Sequence, residues 1–411
     1  MNKILKIFFS TIIFYFGCSG PKTFTVKDKE PEAGFVPSGI RILVDGNLGE
    51  KEILIEVPSC IYAEGKKIIL INSGNKLSVS TKDNGISLKI KDNYFEAKYF
   101  QIFPRDTTQF LTYNGMKLRG SLKIVNDSNS VAVINTLDLE SYLKGIVPKE
   151  MPLGKNEEYF QALKAFTICA RTYSLNKMKR TRDNFDVYID TRDQVYGGVD
   201  AEREISNKAV EETKELVLTY EGEIATVFYH STCGGKTEAV QNVFGFNSTK
   251  YMQGIEDGNP PYCSISPSFK WEETYSQDLL IERLRDAGLI DSEYYRVDWI
   301  GIISRFESGR VNELRIELLS TANERKTISL FGNNIRSIIR TANNKSILKS
   351  IWFDVDLDID RNVIITGKGY GHGVGFCQWG AISQSKLGFD FREILYHYFP
   401  GTKISYLNDS I

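Results

Sequence analysis

Between Ile40 and Ile90 the chain alternates apolar and polar residues with a period of two. Runs such as Glu52-Ile-Leu-Ile-Glu-Val57 and Ile86-Ser-Leu-Lys-Ile90 are separated by glycine turns, for example Glu64-Gly65. Successive side chains of a strand point to opposite faces, so this alternation predicts an antiparallel β module of short strands. Nothing in the module suggests catalysis. It serves as a rigid support or binds glycan, and the support role is favoured.

A helical period replaces this alternation after residue 157. The repeat predicts a long helix from about 157 to 179, with a shorter helix at 137–144 before it. Helices and strands alternate over 270–350, and a strand pattern returns at 351–365. The chain is therefore predicted to have an α+β fold, with a central helix packed on antiparallel strands. The apolar face of the long helix contains Tyr159, Leu163, Phe166, Ile168, Ala170 and Tyr173.

Glu150 lies between Pro148 and Pro152, just before the long helix. Proline has no N–H group and disfavours helix in the residue before it, so the sequence predicts a stiff, non-helical turn. A carboxylate held on such a turn suits general acid–base chemistry, which requires a fixed geometry. The alternative is that Glu150 only caps or charges the N-terminus of the following helix.

Two glycine-rich segments follow. The first, His230-Ser-Thr-Cys-Gly-Gly-Lys-Thr-Glu238, places His230, Ser231 and Thr232 beside Gly234 and Gly235, which let backbone approach a ligand closely. The second, 367–375, has glycine at every other position and matches no nucleotide-binding loop. It is predicted to be an extended strand whose bare face forms a groove floor for a sugar, with His372 on the opposite face. Gln378 and Trp379 follow, and Trp379 either stacks on a sugar ring or lies in the core.

Five ordered motifs give the chain a resemblance to a known family. They are K-G-I-V-P-K-E-M-P with A-L-K-A-F-T-I-C-A-R-T-Y, D-Q-V-Y-G-G at 193–198, the 229–238 segment, G-K-G-Y-G-H-G-V-G-F-C-Q-W-G-A at 367–381, and E-I-L-Y-H-Y-F-P-G-T at 393–402. Over roughly residues 115–405 the chain resembles the SpoIID/LytB family of sporulation and cell-wall proteins.

The resemblance implies a lytic transglycosylase that cleaves peptidoglycan glycan strands between MurNAc and GlcNAc. The glutamate of the E-M-P turn, here Glu150, would be the catalytic acid and base, and 1,6-anhydro-MurNAc ends would result. The alternatives are a non-catalytic enhancer of a wall amidase and a lipoprotein that only binds peptidoglycan. Arg171 either binds sugar or forms an ion pair, and the ion pair is favoured. The candidate substrate-binding residues are Arg171, Gln194, Tyr196, His230, Ser231, Thr232, Gly234, Gly235, His372, Gln378 and Trp379.

Cysteine spacing predicts no metal site and no cofactor. No C-x-x-C pair or His/Cys cluster with zinc spacing occurs. Some members of the family bind zinc through cysteines just before the Q-V-Y motif, but residues 186–196 contain none. Cys233 and Cys263 are the favoured disulfide pair, and Cys169 is predicted to be a buried small hydrophobe.

The N-terminus predicts export. A basic start and a short apolar run lead to Gly17-Cys18, which resembles a lipoprotein signal, although Tyr15 stands where leucine is usual. This departure leaves simple cleavage of the signal, or its retention as an anchor, as alternatives. The protein is expected in the cell envelope, facing the periplasm or wall and anchored to a membrane by lipid on Cys18. A net charge of −1 gives no general attraction to nucleic acid. The predicted regions are a signal at 1–18, a flexible tether at 19–36, the β module at 37–114, a catalytic region at 115–268, a peripheral α/β subdomain at 269–350, and a C-terminal catalytic part at 351–411.

Overall fold

The structure of the protein, a computed structural model, describes residues 23–25, 39–155, 157–179, 184–245, 249–291 and 293–407. The predicted signal with Cys18, and the predicted tether apart from residues 23–25, lie outside these residues. The described chain divides into two compact units. The first contains residues 23–25 and 43–136, and the second contains residues 39–42 and 137–407.

The first unit is built from β-strands, as the alternating pattern predicts. Strands β1 to β13 lie wholly or partly in it. They are β1 (Thr23–Thr25), β2 (Ile40–Asp45), β3 (Lys51–Ile55), β4 (Ser59–Ala63), β5 (Lys66–Ile71), β6 (Asn75–Lys82), β7 (Gly85–Ile90), β8 (Asn93–Ala97), β9 (Tyr99–Pro104), β10 (Leu111–Tyr113), β11 (Met116–Leu118), β12 (Ser121–Asp127) and β13 (Ser130–Leu137).

Neighbouring strands of this unit are mostly antiparallel. One sheet has the order β1-β8-β7-β6-β3, a second contains β13-β12-β9-β4-β5 as neighbours, and β10 and β11 form a hairpin. Glu64 and Gly65 both have positive φ, as a tight hairpin turn requires. Strand β1 pairs in parallel with β8, so residues 23–25 do not belong to a flexible tether as the sequence suggested.

The second unit combines helices with short strands. Its helices are α1 (Leu139–Glu150), α2 (Phe160–Met178), α3 (Glu204–Glu212), α4 (Gln241–Phe244), α5 (Gln277–Asp286), α6 (Asn334–Ile339), α7 (Gln378–Lys386) and α8 (Phe391–Tyr398). Its strands are β14 (Val187–Tyr188), β15 (Leu216–Tyr220), β16 (Glu223–Ile224), β17 (Tyr229–His230), β18 (Lys270–Tyr275), β19 (Tyr294–Arg305), β20 (Val311–Ser320), β21 (Arg325–Phe331), β22 (Phe353–Leu357), β23 (Val363–Lys368), β24 (Phe376–Cys377) and β25 (Lys403–Tyr406).

Helix α2 is the centre of the second unit. It contacts α1, α3, α7 and α8, and it packs on β15, which lies between β16 and β25 in an antiparallel sheet. Twelve of its residues are buried, among them Phe166 and Cys169. Burial of apolar area at about 25 cal/mol per Å² makes such a helix a major source of stability. The α+β fold with a central helix on antiparallel strands is therefore confirmed.

Residues 271–365 form a separate hydrophobic core within this unit. Sheets β19-β20-β21 and β18-β23-β22 pack with α5 and α6 around buried side chains such as Tyr275, Leu314 and Ile316. The predicted peripheral subdomain at 269–350 falls in this core, but β22 and β23 also contribute to it. The core extends beyond the predicted limit at residue 350, because β23, which pairs with β18, lies after that residue.

The boundary between the units also differs from the predicted one. The first unit continues to Thr136 rather than ending at residue 114. The reason is strand pairing, because β12 lies between β9 and β13 with a continuous antiparallel register. The stretches predicted as three regions after residue 136 belong to one unit.

Helix α1 is longer than the predicted 137–144 segment, since it continues to Glu150. Among the described residues, no helix is long and apolar enough to span a bilayer.

Candidate functional site

Glu150 is the last residue of α1. The helix starts at the N-cap Asp138, whose side chain accepts from Ser141 N at 2.9 Å, and it runs through Pro148. The predicted non-helical turn is therefore wrong for Glu150. Pro148 is tolerated since it lies in the last turn of a helix anchored by buried residues, and Met151, before Pro152, adopts the extended conformation that ends the helix.

This position also excludes the role of an N-terminal cap for Glu150. The next α-helix begins only at Phe160, and Glu150 stands at the C-terminal end of α1. The C-terminus of a helix carries a partial negative charge, which disfavours an ionised carboxylate nearby. The helix end thus favours the protonated form that a general acid needs.

The carboxyl group of Glu150 is held by few contacts. Val195 N donates to Oε1 at 2.6 Å, and Gln378 Nε2 donates to the backbone carbonyl of Glu150 at 2.8 Å. The buried hydroxyl of Tyr229 lies close to the carboxyl and has no partner in hydrogen-bonding geometry among the residues described. Within the described part of the chain, Glu150 forms no ion pair. The carboxyl group is thus held in place by a hydrogen bond and has no cationic partner among the described residues.

The pKa of Glu150 is raised above its usual value. Burial is the main cause, because it penalises the charged form, while the Val195 N–H and the Tyr229 hydroxyl act in the opposite direction. The side chain is only half-buried. A carboxyl group with a raised pKa and partial access to solvent can deliver a proton to a bound substrate.

The loop that presents Val195 is fixed on both sides. Asp193 forms an ion pair with Lys177 at 2.5 Å and accepts from Tyr173 Oη at 3.1 Å. Gln194 is fully buried, and its Oε1 accepts from Ser174 Oγ at 2.8 Å. Gln194 Nε2 has no partner among the described residues. Gln194 therefore holds the loop beneath the surface, next to Tyr229.

Tyr196 packs on α1. Its ring centroid lies 5.4 Å from that of Tyr142, and a Cβ added at Gly145 would meet Tyr196 Cε2 at 2.4 Å. Tyr196 is only 3% exposed. The close approach explains the glycine in α1, and the ring locks the 193–196 loop against the helix that carries Glu150.

Arg171 forms the favoured ion pair. Its guanidinium donates to Glu140 Oε1 at 2.8 Å and Oε2 at 2.7 Å, and to Leu216 O at 3.0 Å. The side chain is fully buried. It joins α2 to the first turn of α1 and to β15, away from Glu150.

His230 and His372 lie together in a second group. Their ring centroids are 5.6 Å apart, His230 Nδ1 contacts Val374 O at 3.1 Å, and His372 Nδ1 accepts from Val374 N at 3.0 Å. Burial is the main cause that lowers the pKa of both rings, to about 3 for His372. Both imidazoles are therefore neutral at physiological pH.

The remaining residues of the 230–238 segment also contact the C-terminal region. Ser231 is half-buried, and its carbonyl accepts from Trp379 N at 3.0 Å. Thr232 is buried and its Oγ1 lies 2.7 Å from Ser266 Oγ. Trp379 is half-buried, so it is neither a fully buried core residue nor a fully exposed ring available for stacking on a sugar.

The glycine-rich 367–375 segment is not an extended strand. Strand β23 ends at Lys368, and Gly369, Gly371, Gly373 and Gly375 all have positive φ. A Cβ at Gly375 would meet Phe228 O at 2.3 Å. The glycines therefore allow the loop to lie against the backbone of 228–238, and their bare faces are covered by protein rather than open to a sugar. The predicted groove floor is wrong for this reason.

Gly234 and Gly235 are buried and also have positive φ, +81° and +119°. They turn the chain after Cys233, beside Pro261 and Lys368. Cys233 and Cys263 do lie together, but as free thiols with their sulfur atoms 3.4 Å apart, and Cys377 joins them. Cys169 is buried in α2, as predicted.

Glu150 and Gln378 are thus brought together, with Gln194 behind them, while the other candidates support the surrounding loops. Sequence reasoning missed Tyr229 and the Val195 N–H group. Tyr229 directly precedes His230 in the Y-H-S-T motif, so that motif contained a signal for it. A backbone donor has no signal in the sequence.

Comparison with protein families agrees with the motifs. The model of the stage II sporulation protein family matches residues 127–220. A domain of unknown function (DUF8618) matches residues 248–375, which include the whole of the separate core of the second unit.

Related proteins match over larger parts of the chain. An uncharacterized protein of Brachyspira hyodysenteriae is 31% identical over 304 residues, covering 73% of this chain and 75% of that protein. The amidase enhancer of Bacillus subtilis is 32% identical over 293 residues, or 64% of this chain and 40% of that protein. Stage II sporulation protein D of Bacillus amyloliquefaciens is 27% identical over 291 residues, or 66% of this chain and 75% of that protein.

Proposed function

Because the chain belongs to the SpoIID family, we propose that it is a peptidoglycan lytic transglycosylase in which Glu150 acts as both acid and base. The observation that carries this proposal is the environment of Glu150. Its carboxyl is half-buried, has a raised pKa, and accepts a 2.6 Å hydrogen bond from Val195 N without an ion-pair partner among the described residues. A purely structural glutamate would be expected to have a cationic partner.

In the proposed reaction, protonated Glu150 donates its proton to the glycosidic oxygen between MurNAc and GlcNAc. The bond from that oxygen to C1 of MurNAc breaks, and an oxocarbenium-like centre forms. The carboxylate then takes the proton of the MurNAc C6 hydroxyl, whose oxygen attacks C1 and closes the 1,6-anhydro ring. Intramolecular attack has a high effective molarity, so a second carboxylate as nucleophile is not required.

Replacement of Glu150 tests this proposal. Glu150→Gln keeps the shape of the side chain and its contact with Val195, but it has no titratable proton. We expect anhydro-muropeptide release from purified sacculi to fall at least ~100-fold, measured by mass spectrometry. Glu157→Gln, at an exposed glutamate paired with Lys208, is the matched control and should retain activity. Wild-type product levels from folded Glu150→Gln would reject the assignment.

The amidase enhancer relative favours a second candidate function, stimulation of a wall amidase without glycan cleavage. Under this alternative the chain binds a partner enzyme and Glu150 is not needed. Purified amidase would be assayed with wild-type chain and with Glu150→Gln. Equal stimulation by both, with no anhydro-sugar ends from either, would favour the enhancer over the transglycosylase.

We further propose that the protein acts at the cell envelope, attached to a membrane by lipid on Cys18. The basic start, the short apolar run and Gly17-Cys18 support this location. Radiolabelled palmitate should be incorporated into the wild-type chain and not into Cys18→Ala. Equal labelling of the two chains, or labelling of neither, would contradict the anchor.

A further inference from the structure

Three thiols and a carboxylate meet in the interior of the second unit. Cys233, Asp257, Cys263 and Cys377 are all completely buried, and one ligand atom from each lies within 4.8 Å of the others. They come from separate segments: Cys233 follows β17, Asp257 lies before the short 3-10 helix Tyr262–Ile265 that contains Cys263, and Cys377 directly precedes α7. The fold therefore assembles a donor set that no local sequence spacing reveals.

The separation of the sulfur atoms suits a single tetrahedral ion. Metal–sulfur bonds of about 2.3 Å give sulfur–sulfur distances of about 3.8 Å across a tetrahedron. Cys233 Sγ and Cys263 Sγ are 3.4 Å apart, which is near that value and well beyond the ~2.05 Å of a disulfide bond. Four donors of this kind fill a four-coordinate sphere and leave no open position.

Hydrogen bonds orient these donors from behind. Asp257 Oδ1 accepts from Tyr398 Oη at 2.7 Å, and Oδ2 accepts from Cys263 N at 2.8 Å. Cys377 Sγ accepts from Cys233 N at 3.2 Å, and Cys233 Sγ accepts from Gly235 N at 3.5 Å. Backbone N–H groups aimed at sulfur stabilise thiolates, and oriented carboxylates are typical of the surroundings of metal ligands.

A buried cation lies beside the cluster. Arg310 is 1% exposed and donates to the carbonyl oxygens of Cys233, at 2.6 Å, and Lys236, at 2.9 Å. Its Nε has no partner among the described residues. A buried guanidinium is costly unless negative charge lies near it. The carboxyl group of Glu238, which is also buried, already lies near Arg310 and supplies part of that charge. A divalent ion with three thiolates and one carboxylate carries a net charge of −2 and adds to it.

We propose that Cys233, Asp257, Cys263 and Cys377 bind one thiolate-preferring divalent metal ion, zinc, in a closed structural site. Three thiolates and a carboxylate in a tetrahedral set match the donors that zinc takes in proteins. The site departs from the sequence-based expectation of no metal, which rested on local cysteine spacing. None of its residues lies in the 186–196 segment. The proposal stands independently of the transglycosylase activity.

The metal would fasten three segments behind the proposed catalytic group. Cys377 is the N-cap of α7, and the next residue, Gln378, donates to the backbone of Glu150. Cys233 lies at the end of the Tyr229-to-Thr232 segment. The ion thus fixes the loop with Tyr229 and the start of α7 relative to each other, and it acts on Glu150 only through their positions.

Metal analysis of the full chain, purified without chelator, tests the site. We expect about one zinc per chain by elemental mass spectrometry, and binding weakened at least ~10-fold in Cys377→Ser and Cys263→Ser. Cys60→Ser is the matched control, since Cys60 lies in the first unit, and it should keep its zinc. A cobalt-loaded wild-type chain should show thiolate-to-metal charge-transfer absorption. Zinc retained in full by both cluster variants would overturn the proposal.

A measurement on the wild-type chain covers the case in which the cluster variants fail to fold. Cys233, Cys263 and Cys377 should be protected from alkylation in the metal-loaded chain and become reactive when chelator and denaturant are added together. The midpoint of thermal unfolding should fall by several degrees after metal removal and recover with one equivalent of zinc. A metal-free chain with a Cys233–Cys263 disulfide on peptide mapping would refute the site.

Discussion

Tyr229 is the residue whose role is least evident from its sequence position. Its hydroxyl is buried beside Glu150 and Gln194 without a partner in hydrogen-bonding geometry among the described residues. A buried hydroxyl that lacks a partner costs stability. The position of this hydroxyl nevertheless affects Glu150, because it lowers the pKa of the carboxyl group that burial raises.

Tyr229→Phe removes only that hydroxyl. We expect the pKa of Glu150 to rise further, so the activity attributed to it should persist to higher pH than in wild type. Folding should change little, by less than about 1.5 kcal/mol, since the replacement conserves volume. The pH profile of anhydro-sugar release from sacculi is the measurement, with Tyr251→Phe as control, whose hydroxyl contacts Thr226 N instead. A profile that falls in height but keeps its midpoint would indicate a structural role only.

The raised pKa of Glu150 also links stability to pH. Between the unfolded and folded pKa values the folded chain binds more protons, so the contribution of Glu150 to stability is present at low pH and is lost as pH rises through the folded pKa. Glu150→Gln should therefore gain stability relative to wild type as pH rises. We expect the unfolding midpoint of Glu150→Gln to rise relative to that of wild type between pH 4 and pH 8, measured by thermal unfolding at each pH. A constant difference across that range would contradict the shift.

At the scale of elements, α1 and the 193–196 loop together fix the position of Glu150. The helix supplies the carboxyl, the loop supplies Val195 N–H, and Tyr196 packs against Gly145 to keep the two in register. Asp193 and its ion pair with Lys177 fasten the loop to α2.

Gly145→Ala should disturb the packing of the 193–196 loop on α1. The added Cβ would lie 2.4 Å from Tyr196 Cε2, so the loop must move. We expect a loss of about 1–3 kcal/mol in the free energy of unfolding, as for other overpacked sites, together with lower kcat in sacculus cleavage. Ser141→Ala on the same helix is the control and should stay within about 0.5 kcal/mol of wild type. Unchanged stability and activity in Gly145→Ala would show that the loop does not depend on this contact.

Local patterns predicted the elements better than their ends and contacts. Alternation located the strands of the first unit, and the helical repeat located α2, because burial imposes these periods directly. The pattern could not show that α1 continues through Pro148, since packing of Tyr142, Leu143 and Ile146 overrides the local preference of proline. It also misjudged the glycines of 367–375, whose positive φ and contact with 228–238 are set by residues more than a hundred positions away.

At the scale of the whole molecule, charge is nearly balanced, with 51 basic and 52 acidic residues. General electrostatic attraction therefore contributes little to binding of any polyanion, including an anionic cell wall. If the chain binds peptidoglycan as proposed, we expect local hydrogen bonds and packing to dominate that binding.

Binding of the Glu150→Gln chain to purified sacculi should accordingly depend little on salt. We expect the pelleted fraction to change less than about twofold between 50 mM and 300 mM sodium chloride, because screening acts mainly on exposed long-range charge. A basic wall-binding protein of similar size provides the comparison and should be released. A steep loss of binding would reveal a charged patch that dominates the interaction.

The hydrogen bond from Gln378 to the carbonyl of Glu150 joins residues 228 positions apart. A nascent chain that has already emerged past Glu150 still lacks this donor until α7 has also left the ribosome. The backbone of Glu150 therefore receives its last hydrogen-bond donor only when almost the entire polypeptide is available. The position of the carboxyl group is thus a property of the completed unit and not of the segment that contains it.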